Sequence, residues 1–76
     1  MTAFEAVRSS LLEVVPEVDP AQVVPGRALA ELGCTSIDRA EIVMLAMERL
    51  GLDVPVAEFG GLDDIDAIVG LLARHG

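Results

Sequence analysis

The rhythm of apolar and polar positions changes repeatedly along the chain, and the changes mark out four helical stretches. Phe4, Val7, Leu11, Leu12, Val14 and Val15 recur near the helical period, which predicts an amphipathic helix over residues 3–15. Thr2 is placed to cap it, and Glu5, three positions on, completes a capping box. Pro16 ends the helix, because proline cannot continue the hydrogen-bond ladder. Glu5 and Glu13 then belong to a solvated face rather than a site.

Residues 16–35 hold Pro16, Pro20, Pro25, Gly26 and Gly33, and read as a long ordered loop. Such a length without regular structure needs anchoring. Ala21-Gln22-Val23-Val24 and the segment from Ala28 to Leu32 supply apolar side chains for it, with Leu29 and Leu32 as the pins. Asp19-Pro20 reads as a cap followed by a single turn.

After Gly33 a helical pattern covers residues 36–50, with Thr35 or Ser36 able to cap it. Projected at 3.6 residues per turn, Ile42, Val43, Ala46 and Leu50 fall on one side. Ile37, Ala40, Met44 and Met47 fall on another, beside Glu41 and Glu48. A chain this small cannot easily bury both sides. The first cluster is therefore assigned to the core. The second, continuous with Ser36 and rimmed by Asp38, Glu41 and Glu48, is assigned to partner binding. Methionine is flexible enough for either environment, so core filling by Met44 and Met47 stays open on spacing alone.

Gly51 supplies a left-handed cap and Asp53-Val54-Pro55 an extended turn. A short third helix follows over residues 56–59, with Phe59 as a core plug. Gly60-Gly61 breaks the chain again. A last helix is expected from Asp63 to Arg74, turning Ile65, Ile68, Val69 and Leu72 inward. Asp63, Asp64 and Asp66 suit its positive end, and Arg74 with His75 its negative end. The fold class expected is all-α, a four-helix bundle with a long first loop and a short third helix.

Composition narrows the picture. The 76 residues suffice for one domain, residues 1–76. A chain of this size buries only about 60% of the surface its unfolded form exposes, so its stability is marginal. Cys34 is alone, which rules out an internal disulfide and fits a reducing cytoplasm. No apolar run approaches the roughly 20 residues that span a bilayer. The start lacks the basic-then-apolar pattern of a signal peptide.

Thirteen acidic residues against five arginines give a net charge of −8. That sign argues against nucleic acid and against anionic membrane surfaces as partners. It steers basic protein partners instead, with association that weakens in salt. Simple solubilisation accounts for the charge equally well.

These residues offer three catalytic arrangements, each with a weakness. Cys34 with His75 would be a nucleophile and base, but His75 stands beside the last residue, where preorganisation is poor. Asp63, Asp64 and Asp66 lack calcium-loop spacing and are explained by the first turn of a helix. Paired carboxylates would need a cleft that so short a chain has little room to form. The expectation is a protein that is not an enzyme.

Ser36 is different: it is a serine at the start of a helix, where unpaired amides and the dipole favour negative charge. Leu32-Gly33-x-x-Ser36-Ile37-Asp38 resembles the attachment motif of acyl carrier proteins. The predicted helix order matches that family over nearly the whole chain. The longer string from Ser36 to Val43 is similar to the free-standing donor carriers of polyketide β-branching cassettes. The family usually has Asp, and this subgroup often Asn, where this chain has Thr35.

The resemblance implies 4′-phosphopantetheine attached covalently to Ser36 by a separate phosphopantetheinyl transferase. It implies a partner face of Ile37, Asp38, Arg39, Ala40, Glu41, Met44, Met47 and Glu48. Arg39 would pair either with a partner's carboxylate or locally near Asp38. The implied partners are an HMG-CoA synthase-like enzyme, an acyltransferase and a decarboxylating ketosynthase-like enzyme, met by a monomeric carrier. A general fatty-acid or polyketide carrier, and a helical interaction module without a prosthetic group, are the alternatives.

Overall fold

In the computed structural model, which describes residues 1–75, the chain forms three α-helices joined by short 3₁₀ turns and extended segments. Helix α1 spans Ala3–Val14, α2 spans Ser36–Leu50 and α3 spans Ile65–His75. No strand occurs among the described residues, so the architecture is all-α. The expected short third helix is one 3₁₀ turn, Val56–Phe59. Helix α1 packs along α2 and also against α3, within an envelope of 28 × 24 × 19 Å.

The cap of α1 forms as expected. Thr2 Oγ1 accepts from the Glu5 N–H at 3.1 Å, and Glu5 Oε1 accepts from the Thr2 N–H at 3.0 Å. That backbone hydrogen bond is the main reason the Glu5 carboxyl titrates below its ordinary value. Helix α1 ends one residue before the expected Val15, which serves as its carboxyl cap. Its buried face includes Ala6 and Ser10 beside Val7 and Leu11, small residues that admit α2 closely.

Helix α2 stops in a Schellman arrangement. Gly51, at φ 70°, donates to the Glu48 carbonyl, and Leu52 donates to Met47 at 2.9 Å. Ile42, Val43 and Ala46 are buried with Leu11, Leu29, Ile65, Ile68 and Leu72 in one core. Arg49 fastens the end of α2 to α1, donating to Ser9 and Ser10 at 3.0 Å each and pairing with Glu13.

The start of α3 departs from expectation. Asp63 and Asp64 do not open the helix; their backbone runs alongside the long loop, with an antiparallel bridge between Ala28 and Asp64. Leu29 donates to the Asp63 carbonyl at 2.8 Å, while Ile65 donates to Arg27 at 2.9 Å and Asp66 to Pro25 at 3.2 Å. Loop carbonyls thus satisfy first-turn amides that would otherwise lack partners. This pairing is nonlocal, and no periodicity reveals it.

Candidate functional site

The site is built on the junction between the long loop and α2. Buried Leu29 pins the loop, and its carbonyl accepts from both Leu32 at 3.0 Å and Cys34 at 3.1 Å. Gly33 turns the chain at φ 86°, a left-handed conformation that glycine adopts without strain. The chain then delivers Thr35, not Ser36, to the cap position. Thr35 Oγ1 accepts from the Asp38 N–H at 3.1 Å, and Asp38 Oδ2 accepts from the Thr35 N–H at 3.0 Å. Capping is complete without the neighbouring serine.

Ser36 is therefore released. It is the first residue of α2, it is exposed, and its hydroxyl makes no hydrogen bond among the described residues. The N–H groups of Ser36 and Ile37 likewise have no acceptor there. A free hydroxyl beside two free amides at the positive end of a helix suits an attached phosphodiester. The residues present fit such a group.

Asp63 closes the site from the far side. Its carboxylate accepts from the Ala30 N–H at 3.3 Å and lies 3.8 Å from Arg39 Nη1, while its carbonyl holds Leu29. One aspartate thereby joins the loop, the segment before α3 and the first turn of α2. Ser36, Arg39 and Asp63 line one concavity of about 360 Å³ together with Cys34 and Thr35. A smaller recess of about 90 Å³ lies on the other side of Ser36, between α2 and the Val56–Phe59 turn.

The expected partner face divides. Ile37 is 73% exposed and Met44 55%, with Glu41 and Glu48 exposed around them and Ala40 half-buried. Two of its residues sit in surroundings that the helical projection does not reveal. Met47 is only 7% exposed and belongs to the core cluster, reaching the surface only at the floor of a shallow groove it shares with Met44. Arg39 is half-buried and pairs with Asp63, not with Asp38, whose carboxylate is taken by the cap. Val56, 40% exposed, joins Met44 and Glu48 along a shallow groove; nothing in its sequence surroundings marked it for that face.

The other sequence candidates are dispersed. His75 lies 3.9 Å from Glu58, not beside Cys34. Burial pushes the Cys34 thiol above its ordinary value, and Asp38 and Asp63 push it further. Asp63, Asp64 and Asp66 do not converge with another ligating side chain among the described residues.

The chain belongs to a family defined by an attached prosthetic group. Residues 5–72 match the phosphopantetheine attachment site family. The protein is an acyl carrier protein, a carrier rather than a catalyst, and the group such a domain bears is 4′-phosphopantetheine, covalently held on a serine. It is 38% identical to the polyketide biosynthesis acyl-carrier-protein AcpK of Bacillus subtilis, over 91% of this chain and 84% of that one. It is 33% identical to the mitochondrial acyl carrier protein 2 of Arabidopsis thaliana, over 87% of this chain and 53% of that one. Among solved structures it resembles a chain from the curacin pathway HMG synthase in complex with an acetyl donor carrier protein. The TM-score is 0.84 and the identity 32%, over 95% of this chain and 92% of that one.

Proposed function

We propose that Ser36 is the attachment residue and that the protein is the acetyl donor carrier of a β-branching step in polyketide biosynthesis. The observation that carries the attachment is the exposed Ser36 hydroxyl, left without a partner because Thr35 makes the cap. A phosphopantetheinyl transferase supplies the chemistry of attachment, and the arm, once bound, supplies a thiol that forms thioesters. The chain's own residues do the rest. Thr35 and Asp38 hold the first turn, the free amides of Ser36 and Ile37 face the added negative charge, and buried Leu29 anchors the loop that leads into the site.

The donor role is supported by the likeness to the curacin complex chain, and the polyketide setting by the likeness to AcpK. The string from Ser36 to Val43 points the same way. In that role the carrier presents an acetyl group, formed by decarboxylation of a malonyl group, to an HMG-CoA synthase-like enzyme. That enzyme adds the acetyl carbon to a β-keto chain on a separate acceptor carrier. An acyltransferase and a decarboxylating ketosynthase-like enzyme load it. Tethering gives the acyl group a high effective concentration, while weak, charge-steered contacts let a monomeric carrier leave each cytoplasmic partner quickly.

The test has two stages. Intact mass after incubation with a phosphopantetheinyl transferase should show one added group on the wild type and none on Ser36→Ala; modification of Ser36→Ala refutes the attachment site. The acetyl-loaded protein and a general polyketide carrier are then offered to the synthase-like enzyme with an acceptor-bound β-ketoacyl chain. Equal donation by both would leave a carrier without a dedicated donor role.

A further inference from the structure

We infer that Arg39 is the side chain that receives the phosphodiester on Ser36, through the Nε–Nη2 edge of its guanidinium. The inference rests on Ser36 being the attachment residue. Arg39 lies one turn after Ser36 on α2, and both line the 360 Å³ concavity and the 90 Å³ recess on either side of that serine. Its recorded contacts use Nη1 alone: 3.8 Å to the Asp63 carboxylate and 3.5 Å to the Leu62 carbonyl. Both are long. Nε and Nη2 have no acceptor among the described residues, although the side chain is only 29% exposed.

A half-buried guanidinium with one edge held and the other free is set up to take a second anion. The planar fork of arginine matches two phosphate oxygens, which lysine's point charge does not. Electrostatics favours the same outcome. The chain carries a net charge of −8, and a phosphodiester on Ser36 adds negative charge to a concavity that Asp63 already lines. Arg39 is the one cation among the residues lining that concavity. Asp63 then acts as a positioning residue: by holding Nη1 it keeps the opposite edge turned away from itself. Arg39 would thus serve the prosthetic group within its own chain, leaving Ile37, Met44 and the glutamates to meet partners.

The experiment compares apo and holo forms of the wild type, Arg39→Gln and Arg39→Lys. Intact mass first establishes that each holo sample carries the group and that Ser36→Ala does not. Failure there refutes the attachment site itself. In the holo wild type, the Arg39 Nε–Hε resonance should move downfield relative to apo and exchange more slowly with water. The phosphorus resonance should differ between holo wild type and holo Arg39→Gln. Modification should also raise the melting temperature of the wild type relative to Arg39→Gln by roughly 1–5 °C, with Arg39→Lys recovering part of the gain. With mass confirming modification, an unchanged Nε–Hε resonance and equal holo-minus-apo melting shifts in wild type and Arg39→Gln would overturn the inference.

Discussion

Thr35 and Asp38 exchange hydrogen bonds across the first turn of α2, each side chain accepting from the other's backbone N–H at 3.0–3.1 Å. The cap belongs to Thr35, and Ser36 is spared from structural duty. Thr35→Ala should therefore lower stability by about 1 kcal/mol, or about 4–8 °C in melting temperature. Thr35→Asn should stay close to wild type, since its side chain accepts the same hydrogen bond. Thermal unfolding of both variants decides this; an unchanged melting point for Thr35→Ala would mean the box contributes nothing.

Met44 and Met47 stand one turn apart on α2 but in opposite environments, 55% and 7% exposed. Truncating the buried one leaves a cavity. Met47→Ala should cost about 2 kcal/mol or more, whereas Met44→Ala should stay within about 0.5 kcal/mol. Denaturant titration of the two variants measures the contrast. Equal losses would contradict the division of α2 into a core side and a free side.

Glu41 and Glu48 flank exposed Met44 and make no ion pair among the described residues. Charge reversal at either should leave the melting point nearly unchanged. It should slow the transferase reaction, because acidic rim charges raise encounter rates with basic partners. The rate should also become less dependent on salt. Initial rates across a salt series check this, and parallel salt slopes for wild type, Glu41→Lys and Glu48→Lys would reduce both residues to solubilising groups.

Cys34 is held above the ordinary thiol range by burial first and by the nearby charges of Asp38 and Asp63 second. The thiolate is the reactive form, so Cys34 should alkylate more slowly at pH 8 than an unhindered cysteine in a peptide. Peptide mapping after timed iodoacetamide treatment reads the rate directly. In the holo protein the thiol of the arm should be labelled before Cys34. Labelling of Cys34 at the rate of a free thiol would show that its surroundings open readily.

The elements legible in the sequence are those with local causes. Thr2 with Glu5, Asp19 with Pro20, Gly33 and Gly51 act on residues within a turn of themselves, and each forms the cap or turn its chemistry dictates. The serine at a helix start was legible for the same reason: Gly33, the capping Thr35 and Ser36 lie within one short stretch of the chain. Burial and nonlocal pairing were not. The burial of Met47 depends on the rest of the core cluster, Val54 and Phe59 included, and a helical projection cannot weigh two apolar faces against each other. The position of Asp63 depends on residues as far away as Ala30, 33 positions earlier. Because its backbone is drawn into an extended pairing with the long loop, α3 begins at Ile65 and the Asp63 carboxylate turns toward Arg39. Sequence alone determined the helix order, the cap of α1, the glycine stop of α2 and a serine at a helix start. The surroundings of that serine were decided only when the loop, the segment before α3 and the first turn of α2 closed on one another, since ion pairs and burial are set by distances in space.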